Sequence, residues 1–265
     1  MLPTLRATVL GLALALLASC TFYQRPLPPG TVQGSERVAV AIAIPDQANF
    51  VRMGLTRFGN VDYKVPAEDW GLREIAKEAA FAYIRERHPA MTVVEIRSDF
   101  PREDFYTIRD GFGVGSEPTK VLPREVGGYL AEFVRATPAD FVVIVAAVYS
   151  ALPDSNPSVA NVRADGFGIF SRWVPLDVPW ISPFAAIEVA VIKKPDLVRL
   201  AGKQVTVCDV PTCVDRDPGE RWRAFARRYE SWEAVQTPEK RDLVKSDVRE
   251  AVAHGVRKGL TAVGL

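Results

Sequence analysis

Histidine and cysteine are scarce in this chain. Its 265 residues hold two histidines, His88 and His254, and three cysteines, Cys20, Cys208 and Cys213. A zinc site needs such ligands clustered, and a Ser-His-acid triad would have to recruit one of these two imidazoles. Both have plainer readings: His88 precedes Pro89 at a helix end, and His254 lies between Val252 and Val256 in an amphipathic helix. Charge of one sign is missing too. Basic residues number 33 and acidic ones 32, a formal net charge of +1, so no positive field draws in nucleic acid. After residue 20 no apolar run reaches the roughly 18–20 residues of a membrane-spanning helix. Nucleotide motifs are absent as well. Asp110-Gly111-Phe112-Gly113-Val114-Gly115-Ser116 is glycine-rich, but no strand leads into it and no Gly-Lys-Ser/Thr follows, so a loop is the better reading. No cofactor is implied by any of these patterns.

What is present begins at the N-terminus. Arg6 is followed by Val9-Leu10-Gly11-Leu12-Ala13-Leu14-Ala15-Leu16-Leu17, then Ala18-Ser19-Cys20. The apolar run has the length of a signal h-region and is too short to span a bilayer. Leu17-Ala18-Ser19-Cys20 resembles the lipobox of bacterial lipoproteins, in which the cysteine thiol takes a diacylglycerol and the new amine a further acyl chain. Two or three acyl chains anchor a protein stably where one holds it only marginally. The resemblance implies a signal peptide over 1–19, a lipidated Cys20 and a tether over 20–35, the last suggested by prolines and glycines in TFYQRPLPPGTVQGS. Thr21, where an aspartate would resemble an inner-membrane retention signal, favours the outer membrane with the domain facing the periplasm.

With Cys20 committed to lipid, Cys208 and Cys213 remain. In an oxidising compartment the spacing Cys208-Asp-Val-Pro-Thr-Cys213 favours a short disulfide loop. A redox pair would want Cys-x-x-Cys, and a metal site would want a histidine close by.

Hydrophobic residues at 48% are enough to build a proper core, and the chain from 36 to 265 reads as one α/β domain. Arg37 to Ile44 is apolar on both faces, a central strand. Residues 46–67 read as a long connection. The periodicity predicts a helix from Asp69, as N-cap, to Arg87, a strand over Met91–Ile96 and a helix from Pro123 to Arg135. Phe141–Val148 is the strongest strand signal. Gly166–Arg172, Ala185–Ile192 and Lys203–Cys208 follow as strands, with a charged connection from Lys193 to Gly202. A helix over 219–234 precedes one capped by Thr237 with Pro238 first. In that last helix Val244, Val248, Val252, Val256, Leu260 and Val263 form one apolar stripe. The expected architecture is a two- or three-layer mixed sheet with helices packed on it and amphipathic C-terminal helices.

The order of lipobox, tether, RVAVAI strand, long helix and Ala139-Asp140-Phe141 strand is similar to periplasmic lipoproteins of the curli-secretion and peptidoglycan-synthase-activator type. That resemblance implies the α/β fold of the N-terminal domain of the Tol translocation protein and a binding role in envelope assembly. This chain departs from it in Val148-Tyr149-Ser150, where a glycine is usual, and in the apparent insertions 46–67 and 150–184.

Candidate functional residues are few. Asp46 and Asp154 could converge at one sheet edge as paired carboxylates, beside Ser150, with loop capping as the plainer reading. Ser116 lacks a nucleophile elbow. The clusters Arg221-Arg223-Arg227-Arg228 and Arg241-Lys245-Arg249 read as solvated helix faces. Residues 173–184, WVPLDVPWISPF, are the most suggestive binding segment: prolines pre-extend the chain, and Trp173, Trp180 and Phe184 would anchor a partner. The alternative is a loop folded back over the core. The expectation is a non-catalytic, lipid-anchored envelope component that binds a protein partner or itself. The competing expectations are a periplasmic hydrolase and a small-ligand or glycan binder.

Overall fold

The computed structural model describes residues 26–34, 36–54, 60–96, 107–109, 119–121, 128–151, 163–172, 180–195, 197–208 and 229–265. The strand β1 (Arg37–Ala43) dictates the layering. Its sequence RVAVAIA places Val38 and Val40 on one face and Ala39, Ala41 and Ala43 on the other, all buried. A strand buried on both faces needs a helix layer on each side.

The strands β2 (Gln47–Met53) and β3 (Val61–Pro66) follow, then the helix α1 (Leu72–Arg87) and β4 (Thr92–Glu95). After β5 (Thr107–Arg109) and β6 (Thr119–Val121), a small separate hairpin, come α2 (Gly128–Ala136) and β7 (Phe141–Ala147). The hairpin β8 (Tyr149–Ala151) and β9 (Arg163–Asp165) leads to β10 (Phe167–Arg172), β11 (Trp180–Lys193), β12 (Val198–Cys208) and the last helix, α3 (Arg241–Val263). The main sheet runs β3-β2-β10-β11-β7-β1-β4, with β12 on the other edge of β11. It is mixed: β4, β1 and β7 are parallel, as are β2 and β10, whereas β11 is antiparallel to its neighbours.

Helix placement follows from the crossovers. From β1 the chain passes through α1 to β4 on one side, then through α2 to β7 on the other. Crossovers of one hand made in opposite directions put their helices on opposite faces. Accordingly α1 and α3 pack with Val38, Val40, Val143, Val145, Ile187 and Val189, while Ala131 and Val134 of α2 pack with Ala39, Ala41, Ile144 and Ala190. The alanines let the short α2 lie close to the sheet. The predicted stripe on α3 is the stripe that packs: Val244, Val248, Val252, Val256, Leu260 and Val263 are each buried. Gly255 and Gly259 extend it, because a Cβ on Gly259 would lie 2.5 Å from Val189 Cγ2.

Several sequence expectations are corrected. Residues 46–67 are not a plain connection but carry β2 and β3, and the alternation Val61, Tyr63, Val65 against Asp62, Lys64, Pro66 was the available signal. Asp69 is not a helix N-cap. It lies in a 3-10 turn, Glu68–Trp70, and α1 starts after Gly71, whose φ of 61° breaks the helix. The connection after Lys193 is tighter than expected, since β12 already begins at Val198. Thr237 makes no capping bond; its hydroxyl donates to Ala234 O, and Pro238 opens a 3-10 turn before α3. Within the expected helix 219–234, Ala234 begins a 3-10 turn and the residues before Tyr229 lie outside the described set.

Candidate functional site

In open α/β sheets the ligand crevice lies where the strand order reverses, at the carboxyl ends of the strands flanking that point. Here those strands are β1 and β7. Both carry straight on. Through Ile44-Pro45-Asp46, β1 runs into β2, and through Val148 and Gly166 β7 meets β10. The junction is sewn by Val148 N–H to Ala186 O, Gly166 N–H to Val148 O and Ala186 N–H to Gly166 O, at 3.1, 3.0 and 2.6 Å. The continued pair β2–β10 is so close that a Cβ on Gly168 would stand 1.8 Å from Asn49 O. The place for a crevice is therefore filled by sheet.

Asp46, the carboxylate expected at this edge, is a clamp. Arg73 of α1 donates to its carboxylate and, through Nε at 3.0 Å, to Ile44 O, while Asp46 O accepts from Ala67 N–H at 2.9 Å. These bonds tie the β1–β2 junction to the start of α1. Ser150 contributes backbone to β8, and Asp154 and Ser116 lie outside the described residues. His88 is partly buried at the end of α1, and His254 is partly buried in α3. Among the described residues no group of three His, Cys, Asp or Glu side chains could hold a metal ion, and no helix is long and apolar enough to cross a membrane.

The second face of the sheet carries polar groups that the sequence did not announce. Glu188 of β11 and Arg199 of β12 form a buried ion pair, Oε1 to Nη2 at 2.7 Å, with side chains only 2% and 5% exposed. Gln204 donates to Glu188 Oε2 at 3.4 Å. Gly202 makes room for the pair: a Cβ there would be 2.0 Å from Arg199 Nη2. Asn49 of β2 is buried too, and its Oδ1 has no hydrogen-bond partner among the described residues.

Phe184 belongs to this buried face and not to an exposed partner surface. It is fully buried in β11, opposite Gly168 of β10 and Cys208 of β12. The expected loop over 173–184 ends at Trp180, where β11 starts. Pro183 does not end the strand. It stands beyond the last β12 partner, in a stretch flanked on one side only by described strands, where proline is tolerated. The backbone of Trp180 pairs with Arg172, and Trp173 lies outside the described residues. Cys20 and Cys213 also lie outside, and Cys208 is described only as the last residue of β12. Of the basic clusters, Arg221 to Arg228 are outside. Arg241 and Lys245 reach Asp69 at 3.3 and 3.6 Å, and Arg249 Nη1 donates to Trp70 O at 2.7 Å. That face of α3 is thus a dock for the 68–71 turn rather than bare solvated helix.

The N-terminal segment enters at the opposite end of the domain. Leu27 N–H donates to Val263 O at 2.7 Å, and the Leu27 side chain joins the core. Tyr83 O–H donates to Leu265 O at 2.9 Å and accepts from Thr261 Oγ1 at 3.0 Å, so the ends of α1 and α3 meet there. Glu36 orders the path into β1 by accepting from Gln33 N–H and Gly34 N–H, each at 2.7 Å. Burial pushes its carboxyl up. The backbone N–H groups of Gln33, Glu36 and Gly34 together outweigh that and the nearby Asp140, holding the carboxyl below its ordinary 4.5. A depressed carboxyl contributes stability above its unfolded value and loses it as pH falls through the folded one. Protection factors at Gln33 and Gly34 should therefore fall on acidification below pH 4.5. In Glu36→Gln, which keeps one acceptor oxygen of the two, NMR exchange should find at least one of these amides weakly protected even at neutral pH.

No protein-family model matches the chain, and no curated protein does. Among solved structures, protein XCC0632 from Xanthomonas campestris, described under the family model DUF330, is similar over 91% of this chain and 91% of its own, at 11% identity and a TM-score of 0.36. The hypothetical protein CT253 from Chlamydia trachomatis is similar over 84% of this chain and 98% of its own, at 12% identity and a TM-score of 0.32. The curli-type resemblance drawn from short hydrophobic motifs finds no support in these comparisons. At such scores neither likeness carries an inference about this chain's function.

Proposed function

We propose that this chain is a lipid-anchored component of a bacterial envelope, held through acylated Cys20 at the periplasmic face of the outer membrane, that acts by binding another envelope component. The observation that supports a non-catalytic reading is the filled switch point. The crevice in which an α/β sheet would gather reacting groups is occupied by β2 and β10, and Asp46 is bound to Arg73. The lipobox-like Leu17-Ala18-Ser19-Cys20 supports the anchor. The RVAVAI strand and Ala139-Asp140-Phe141, similar to accessory lipoproteins of envelope assemblies, support the binding role.

Its test is made in intact Gram-negative cells. Mass spectrometry of the mature chain should find acyl groups on Cys20, and Cys20→Ser should lack them. Crosslinking of the acylated chain should recover a defined envelope protein, lost in Trp173→Ala/Trp180→Ala. An unacylated mature chain would sink the anchor. Identical crosslinking background in both forms would sink the tryptophan surface.

A further inference from the structure

The poles of the domain differ in how they treat charge. At the pole carrying the start of α1 and α3, several cations are paired: Arg73 with Asp46, Arg241 and Lys245 with Asp69, and Arg52 with Glu233. The other pole gathers the amino ends of β1, β4 and β7, the carboxyl end of β11 and the carboxyl ends of α1, α2 and α3. It exposes Arg37, Arg85, Arg87, Arg135, Lys193 and Arg257. None of these forms a salt bridge among the described residues; Arg85, Arg87 and Lys193 lie over the rings of Phe81, Tyr83 and Phe141. The carboxylates here are fewer: Glu36, which accepts from Gln33 and Gly34 N–H, Asp140, which accepts from Arg37 N–H, and the exposed Glu86 and Glu132, so cations outnumber them among the described side chains.

Helix dipoles favour cations at the last turns of α1 and α2. They do not account for Arg37 and Lys193, which stand on strands, or for Arg257, more than a turn before the end of α3. The same pole receives the N-terminal segment, through Leu27 at Val263. Cys20 precedes Leu27 by seven residues, and a chain of that length reaches at most about 25 Å. A domain tethered so briefly presents to the membrane the pole at which the tether enters.

From this coincidence we infer that the pole formed by Arg37, Arg85, Arg87, Arg135, Lys193 and Arg257 docks on an anionic phospholipid surface, setting one fixed orientation of the domain on the membrane. This rests on the acylation of Cys20 proposed above. Juxtamembrane cations each raise occupancy of an anionic surface roughly fivefold, within a Debye length of about 8 Å. The paired pole, with Asp46, Asp69 and Arg249, then points away from the bilayer, toward a partner.

The acylated full-length protein is reconstituted into vesicles of phosphatidylcholine alone and of phosphatidylcholine with phosphatidylglycerol, and amide exchange is followed by mass spectrometry. Peptides over 82–90 and 254–265 should gain protection on the anionic vesicles only, and lose it at high salt. Peptides over 238–250 should not change. Arg85→Glu/Arg87→Glu/Arg257→Glu, which alters exposed side chains, should stay folded, with an unfolding temperature lowered only as far as the last turn of α1 needs its cations, yet exchange alike on both vesicles. Equal protection on neutral and anionic vesicles, or protection in the triple variant, would overturn the docking surface. So would protection of this pole by a co-purified acidic protein without lipid. The mass of the N-terminal peptide reports acylation independently, so failure of the anchor and failure of the docking surface are read apart.

Discussion

Arg199→Ala is expected to destabilise the domain by about 3–5 kcal/mol, the cost of leaving a buried carboxylate without its partner. The pair it breaks lies at 2.7 Å between β11 and β12, with both side chains almost fully buried. For a domain of this size such a loss lowers the unfolding temperature by on the order of 10 °C, measurable by calorimetry. Removing both charges is a different matter. Because desolvation opposes the attraction of a buried pair, Glu188→Leu/Arg199→Met should recover most of the loss, or all of it. If Arg199→Ala unfolds within a degree or two of the parent chain, the pair is solvated in solution and this account of the face is wrong. Gly202 offers an internal check, since Gly202→Ala would drive a methyl into the Arg199 guanidinium.

Gly168→Ala is expected to cost about 3 kcal/mol or more, as overpacking against a backbone does when no side chain can yield. The added Cβ would stand 1.8 Å from Asn49 O and 2.7 Å from Asn49 N. Relief requires β10 to separate from β2, and with it the seam that fills the carboxyl ends of β1 and β7. Gly34→Ala is the control. Like Gly168, whose φ is 156°, it has a φ, 89°, that strains an alanine, but nothing lies within 4 Å, so about 1–2 kcal/mol of backbone cost is expected and no repacking. Equal losses from urea denaturation of the two variants would mean that the Gly168 contact is not tight. A markedly larger loss at Gly168, with β2 amides newly exchanging, would support the seam.

The sequence on its own determined the elements that are buried in a regular way. Arg37 to Ala43 and Phe141 to Ala147 read as central strands because both faces of each are apolar, and both are central. The valines of α3 read as one stripe because they recur at helical spacing, and they pack as one. Local periodicity reports which faces of an element need cover, and that much was legible. It does not report which strand supplies the neighbour. β2 and β10 are far apart in sequence, and only their pairing turns the expected strand-end site into closed sheet. Phe184 and the Glu188–Arg199 pair are set by the register of β11 against β10 and β12, so a residue read as a partner anchor became core and two charges became interior. Arg241, Lys245 and Arg249 looked like solvent-facing charges until the 68–71 turn was brought against them. Tertiary structure decided these points for one physical reason: burial of a charge or an aromatic ring depends on what lies across from it, and a sequence window contains only what lies beside it.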